Sequence, residues 1–243
     1  MGYKGKYLSL YGEDFLLEKL FEGKSDGFFV EVGCIDGLRF SNTFYFESIG
    51  WNGICVEAHS DYIDLIKKNR SSKVIHAAIG DKSTPNVDFY ANSRGTFSSL
   101  GNERESEWTG NKYFTGFELQ KVDMITLGDL FKDNNVKHID ILSIDIEGFE
   151  VEAVSGMDFS FCKPTVIVVE SDSPQHKLRI EAVLLKNGYH YITALRNNLF
   201  YSQIKDHIPK IRKKVFNGVE IIHTSHPLDD EDDCIKKVTI TTR

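Results

Sequence analysis

The segment Phe28-Phe29-Val30-Glu31-Val32-Gly33-Cys34-Ile35-Asp36-Gly37 runs an apolar strand into an acidic, glycine-bearing turn. About 20 residues later a second short strand, Gly53-Ile54-Cys55-Val56-Glu57, closes on a carboxylate. A strand, a glycine turn, a helix and a strand ending in an acid is how a βαβ unit holds an adenosine-type cofactor. A dinucleotide site uses G-x-G-x-x-G, whose middle glycine lets backbone approach a diphosphate. Here Gly33 is present, but the middle position is Ile35 and the third is Leu38. A β-branched side chain obstructs a diphosphate, and Glu31 and Asp36 would repel it. Those acids suit the ammonium and sulfonium charges of S-adenosylmethionine (SAM), which carries no phosphate and tolerates a looser Gly33-to-Gly37 turn. SAM is the expected cofactor. The two oxygens of Glu57 match its vicinal ribose hydroxyls.

A second constellation follows the most apolar strand, where Ile139 to Asp145 leads into Asp145-Ile146-Glu147-Gly148. Strand alternation would send Asp145 and Glu147 to one side. Glu170 ends the next apolar run, and Asp172 follows it. Carboxylates at the ligand-bearing edge of a buried sheet are costly unless they bind something. Three roles are open: holding the methionine amino group, general base, or divalent-metal ligation by Asp145, Glu147 and Glu170. Asp145 and Glu147 could also simply cap a helix. Of the eight histidines, His59 and His176 lie near these strand ends and could accept a proton.

The elements that must position these residues alternate along the chain. Helices are expected over 13–22, from Ser41 or Asn42 to Gly50, and from Ser60-Asp61 through Tyr62, Leu65 and Ile66. In the last of these, Lys67, Lys68 and Arg70 would favour the C-terminal dipole. Strands are expected at 28–32, 53–57, 73–79, 86–91, 139–145 and 165–170. Thr126 would cap a helix of Leu127, Leu130 and Phe131, and another helix spans Glu150 to Val154. A last helix over 175–187 would bury Leu178, Val183 and Leu184, before a hairpin at 189–193 and 199–202. Residues 92–118 show no periodicity. Their Arg94, Phe97, Trp108 and Tyr113 suit either a lid over the site or an unstructured loop. One further strand is expected at 238–241. The order is that of an α/β, doubly wound, mostly parallel sheet, with ligands at the C-terminal strand ends.

Composition narrows the partners. Twenty-nine Lys and Arg against 36 Asp and Glu give a net charge of -7, which argues against nucleic-acid or anionic-membrane binding. The basic cluster Lys210, Arg212, Lys213 and Lys214 suits a solvated face. Four cysteines, at 34, 55, 162 and 234, show no metal-ligand spacing and fit a reducing compartment. Neither a signal peptide, a membrane span nor a myristoylation motif is apparent, so a cytoplasmic location is expected.

Several separated motifs, in order, resemble one known family. They are Tyr11-Gly12-Glu13-Asp14, Phe29-Val30-Glu31-Val32-Gly33, Asp36-Gly37, Ser41-Asn42-Thr43, Gly50-Trp51-Asn52-Gly53, Cys55-Val56-Glu57 and Leu142-Ser143-Ile144-Asp145-Ile146-Glu147-Gly148-Phe149-Glu150. Together these resemble the FkbM family of SAM-dependent methyltransferases over about residues 8–205. The resemblance implies a Rossmann-like class I methyltransferase fold: a seven-stranded sheet closed by an antiparallel hairpin. A methyltransferase domain is expected at 1–205; residues 206–243 have no counterpart in the family pattern and are expected as an extension packed on the same domain, its role open. The resemblance also implies O-methylation of a hydroxyl on a sugar, glycan or other small molecule. By the same resemblance, Glu31, Gly33, Asp36 and Gly37 line the methionine end, and Ser41 and Asn42 open the helix beside it. Glu57 holds the ribose, Ala78 and Asp81 flank the adenine, and Asp145 and Glu147 face the sulfonium and the acceptor. Cys34 departs from the small alanine common there.

For methyl transfer to oxygen, Glu147 and Glu170 are the first candidates for the base, with Asp145 serving the SAM site. Metal use, with Mg²⁺ as the ion, stays open. Two other classes remain: a NAD-dependent sugar oxidoreductase on the same fold, and a binding protein that has lost its acceptor pocket.

Overall fold

In a computed structural model, residues 5–102, 105–207, 220–221 and 238–239 are described. The chain begins with helix α1 (Glu13–Leu20), followed by β1 (Phe28–Val32), α2 (Phe44–Ser48) and β2 (Asn52–Glu57). After a 3₁₀ turn at Ser60–Tyr62 come α3 (Ile63–Asn69), β3 (Lys73–His76), β4 (Ala78–Gly80) and β5 (Thr84–Ala91). Next are α4 (Glu105–Trp108), β6 (Glu118–Thr126), α5 (Leu127–Asp133), β7 (Ile141–Ile144) and α6 (Glu150–Ser155). The chain continues through β8 (Val166–Glu170), α7 (Pro174–Lys186), β9 (His190–Leu195) and β10 (Asn198–Ser202). A short pair, β11 (Glu220–Ile221) and β12 (Val238–Thr239), is antiparallel. The Lys210–Lys214 cluster and most of the 206–243 extension lie outside the described residues. No helix among the described residues is long and apolar enough to cross a membrane.

The main sheet has seven strands in the order β3-β2-β1-β7-β8-β10-β9. β3, β2, β1, β7 and β8 run parallel, while β10 is antiparallel to both neighbours. This is the expected doubly wound sheet with its closing hairpin. Strand alternation builds a core on each face. Val30, Val32, Ile54, Val56, Leu142, Ile144, Ile167 and Val169 pack with Leu130 and Phe131 of α5, Val151 and Val154 of α6, and Ile180 and Leu184 of α7. Phe29, Cys55, Ile141, Val166, Val168 and Phe200 pack on the other face with Leu16, Leu17 and Leu20 of α1, Phe46 of α2 and Ile66 of α3. Full burial on both faces explains why these strands lack polar alternation.

Three expectations need correction. The 73–79 run is not one strand: β3 stays in the main sheet, whereas β4 leaves it to pair with β6. The break is at Ala77, whose N–H donates to Glu57 O at 3.1 Å. β6 itself, unexpected from sequence, joins β4 in parallel and β5 antiparallel in a separate three-stranded sheet. On α7, Leu178 faces outward at 65% exposure, and Ile180 and Leu184 are the buried positions.

Residues 92–102 and 105–117 form a packed cap. Phe97, Trp108, Phe114 and Phe117 meet mostly edge-to-face with ring centroids 5.1–6.0 Å apart. Asn92 ties the cap to its own far end, with Nδ2 donating to Gly116 O at 2.8 Å.

Candidate active site

A cavity of about 610 Å³ opens at the C-terminal ends of β1, β2, β7 and β8, a volume that suits a cofactor together with a small acceptor. Its floor includes Glu31, Gly33, Ile35 and Asn42, and its side wall Glu57, Ala78, Ile79 and Phe89. Arg94, Phe97 and Tyr113 of the cap also line it, and Asp145, Glu147 and Glu170 form the acidic end. Of the expected site residues, Asp36, Gly37, Ser41 and Asp81 stand outside the cavity wall.

Glu31 is buried and spent on structure. Its carboxylate accepts from Asn42 N at 2.7 Å, Thr43 Oγ1 at 2.7 Å, Ser41 Oγ at 2.8 Å and Arg70 Nη1 at 2.9 Å. Ser41 Oγ in turn accepts from Phe44 N at 3.0 Å, which opens α2. Asp36 Oδ1 accepts from the Leu38 and Arg39 amides and shapes the turn. Arg70, expected to favour the C-terminal dipole of α3, is buried and binds Glu31 and Glu47 together.

Glu57 reaches the cavity with less to offer than expected. Oε2 accepts from the Cys34 and Ile35 amides at 2.8 and 2.9 Å, and Oε1 from His59 N at 2.9 Å. A carboxylate has about four lone-pair sites, so one, on Oε1, is left for a ligand hydroxyl. Burial pushes its pKa up, against those three N–H groups. His59 is a buried structural residue: Nε2 pairs with Asn92 O at 3.1 Å and Nδ1 accepts from Asp61 N. His176 lies off the cavity, with Nε2 3.4 Å from Glu150 Oε2. Neither is placed to take a proton in the cleft.

The acidic end differs from the alternation argument. β7 stops at Ile144, so Asp145 and Glu147 belong to a turn in which Glu147 has φ 56. Ser99 Oγ donates to Glu147 O at 3.0 Å and pins the cap to this turn. The residue that joins Asp145 and Glu170 is Glu150, not Glu147: oxygens of these three lie within 4.8 Å of one another. That spacing fits a hard cation. Yet both Glu150 oxygens accept N–H groups, from Ile146 at 2.9 Å and Gly148 at 3.1 Å, and so anchor the start of α6. Burial raises the Glu150 pKa to about 8, and burial plus the Asp145 and Glu147 charges raises that of Glu170. The Glu150 proton therefore removes one negative charge from this cluster near neutrality.

Sequence reasoning also missed Tyr11, Glu13 and Asn198 as cavity residues. Glu13 is fully buried; its Oε2 accepts from Tyr11 N at 2.8 Å and its Oε1 from Asn198 Nδ2 at 2.7 Å. Burial lifts its pKa to about 7. The signal for Tyr11 and Glu13 was the family-like motif Tyr11-Gly12-Glu13-Asp14, to which no site role was given; Asn198 had none.

Glu13 and Glu150 make stability depend on pH. Each has a folded pKa above the usual 4.5, so the folded state holds its proton longer. Their contribution is complete at low pH and is lost as pH rises, by about 7 for Glu13 and about 8 for Glu150. Urea unfolding should show stability falling by on the order of a few kcal/mol from pH 5 to 8. Glu150→Gln should flatten the upper part of that slope. A wild-type profile level across this range would contradict the assignment.

Sheet order and closing hairpin together define the Rossmann-like fold of class I methyltransferases. The model of the FkbM methyltransferase domain matches residues 26–191, about two thirds of the chain, and the protein belongs to that family. No curated protein matches the chain. Among solved structures it is similar to an O-methyltransferase from Bacillus cereus in complex with SAH, at 12% identity and TM-score 0.45, covering 82% of this chain and 83% of that one. It is also similar to a precorrin-6y C5,15-methyltransferase from Geobacter metallireducens, at 12% identity and TM-score 0.42, covering 78% and 84%. A putative RNA methyltransferase from Pyrococcus horikoshii shows 12% identity and TM-score 0.42, covering 84% and 92%.

Proposed function

We propose that this methyltransferase uses SAM to methylate a hydroxyl oxygen of a sugar or similar small molecule. The observation that carries the reading is the division of the cavity. One half has apolar walls, Ile35, Ala78 and Phe89, around the open lone pair of Glu57. The other half is lined by acids. Ala78 and Phe89 suit an adenine ring, and Glu57 Oε1 accepts one ribose hydroxyl. Gly33 and Asn42 continue the floor toward Asp145, where a cationic centre meets negative charge. A diphosphate has no such welcome, because Ile35 stands at the approach; this disfavours the NAD reading.

Bound SAM supplies an already activated methyl group. The residues of the chain then need to align an oxygen, exclude water and accept its proton. The cap supplies exclusion: Phe97 and Tyr113 line the cleft, and Arg94 lies 4.6 Å from the Tyr113 ring centroid. Glu170 is the better base. Its Oε2 is shielded from solvent and has no hydrogen-bond partner, so it can receive a substrate hydroxyl.

Isothermal titration with SAM checks the cofactor site. Glu57→Ala and Asp145→Ala should each weaken binding at least about tenfold, near 1.4 kcal/mol. Undiminished affinity in the double variant would remove this site from consideration. EDTA should leave the methylation rate unchanged, because both Glu150 oxygens are committed to the Ile146 and Gly148 amides at the start of α6. Arrest by EDTA with rescue by Mg²⁺ would instead make Asp145 and Glu170 metal ligands.

A further inference from the structure

Two buried oxygen atoms at the acceptor end lack any hydrogen-bond partner: Glu170 Oε2 and Asn198 Oδ1. They come from residues directly opposite one another in the antiparallel β8–β10 pair, and both residues line the cavity. Facing side chains in such a pair lie within about 5.5 Å at Cβ, so the two residues share one end of the cavity. Asn198 is only 7% exposed. Its amide is not free to turn over, because Nδ2 donates to Glu13 Oε1, whose other oxygen is held by Tyr11 N. Glu13 thus holds the amide nitrogen, and the end left without a partner is the acceptor oxygen.

A buried acceptor without a donor is costly, so its retention calls for a reason, and a catalytic or ligand-binding role is one. We propose that Glu170 and Asn198 form a diol subsite: Glu170 receives the hydroxyl that is methylated, and Asn198 Oδ1 receives a hydroxyl on the adjacent carbon. This rests on the hydroxyl-methylation reading above and deepens it. Asn198 touches substrate and sets specificity, whereas Glu13 is a positioning residue acting through the Asn198 amide. In the transfer, the acceptor oxygen forms its bond to the methyl carbon as the carbon–sulfur bond breaks. The hydroxyl proton passes to the Glu170 carboxylate, and the sulfur keeps the electron pair.

The prediction is chemical. Acceptors with a vicinal diol should be methylated, and analogues with hydrogen in place of the neighbouring hydroxyl should lose about tenfold or more in kcat/KM. The test uses the full chain with SAM, methyl glycosides of common hexoses and pentoses, and their monodeoxy counterparts, with methyl transfer read by mass spectrometry. Asn198→Ala should abolish the preference for the diol while SAM affinity stays as in the wild type. Glu13→Gln gives a second handle should Asn198→Ala fail to fold. Its new amide can keep Tyr11 N on its oxygen and donate to Asn198 Oδ1. That turns the Asn198 amide over, presents Nδ2 to the cavity and shifts preference toward a neighbouring methoxy or keto group.

Loss of the diol preference in Asn198→Ala, or its inversion in Glu13→Gln, would establish the subsite. Glycosides methylated by the wild type without regard to the adjacent hydroxyl would overturn the subsite and leave hydroxyl methylation standing. A preference unchanged in both variants would overturn it as well. Tight SAM binding with no glycoside methylated would overturn the sugar reading and the subsite with it.

Discussion

Gly33→Ala should cost the protein its cofactor site and on the order of 3 kcal/mol of stability. Gly33 has φ +82, a left-handed conformation that costs an L-residue roughly 1–2 kcal/mol. Space is the harder limit. A Cβ at this position would stand 1.8 Å from Asp145 O and 3.0 Å from its carbonyl carbon. Those are backbone atoms and cannot rotate away. The two strand ends are also stitched from both sides: Gly33 N donates to Val56 O, and Asp145 N donates to Val32 O, each at 3.0 Å. Relieving the clash means parting β1 from β7 where Asp145 enters the cavity. SAM affinity should fall at least about a hundredfold, near 2.8 kcal/mol. Urea unfolding and SAM titration of the variant measure the two effects. A variant with wild-type stability and affinity would show that the turn yields more easily than its hydrogen bonds allow.

That glycine was legible in the sequence, and so was most of the main sheet. β1, β2, β7 and β8 are short apolar runs bounded by turn residues, and such patterns survive without knowledge of neighbours. What stayed illegible depended on neighbours. β6 reads Glu118-Leu119-Gln120-Lys121-Val122-Asp123-Met124, mostly polar, with only Val122 buried in its first eight residues. It is a strand because β4 and β5 flank it, which no local pattern announces. The cap has no period because its aromatic rings pack on one another instead of on a helix or sheet face. In the site, strand alternation was extended one turn too far: it chose Glu147, although the chain leaves β7 after Ile144 and folds Glu150 back. Glu13 and Asn198 are 185 positions apart and meet only in three dimensions.

Arg70 is the sharpest case of a residue whose place only the fold discloses, and its removal should be as damaging as that of Gly33. Its guanidinium binds Glu31 at 2.9 Å and Glu47 at 2.8 Å, and donates to Gly37 O, Ser41 Oγ and Thr43 Oγ1. It also lies against the Phe29 and Phe44 rings, at 5.3 and 5.7 Å from their centroids. Arg70→Leu leaves Glu31 charged and buried, a change that costs about 3–5 kcal/mol. Arg70→Lys should recover little, since a compact ammonium cannot span five acceptors held in a plane-matched fork. The loss has a definite pH signature. Burial alone would raise the Glu47 pKa, but the Arg70 charge and the Ser72 hydrogen bond override it and hold that carboxyl below its usual range. A depressed carboxyl contributes stability above its unfolded pKa, and that contribution fades as pH falls through the folded one. Without Arg70 the contribution is gone, so the gap between variant and wild type should be widest near neutrality and narrow below about pH 4.5. Urea unfolding from pH 3 to 7 follows it. A gap that stays constant across that range would mean Arg70 acts through packing alone and not through the Glu47 charge.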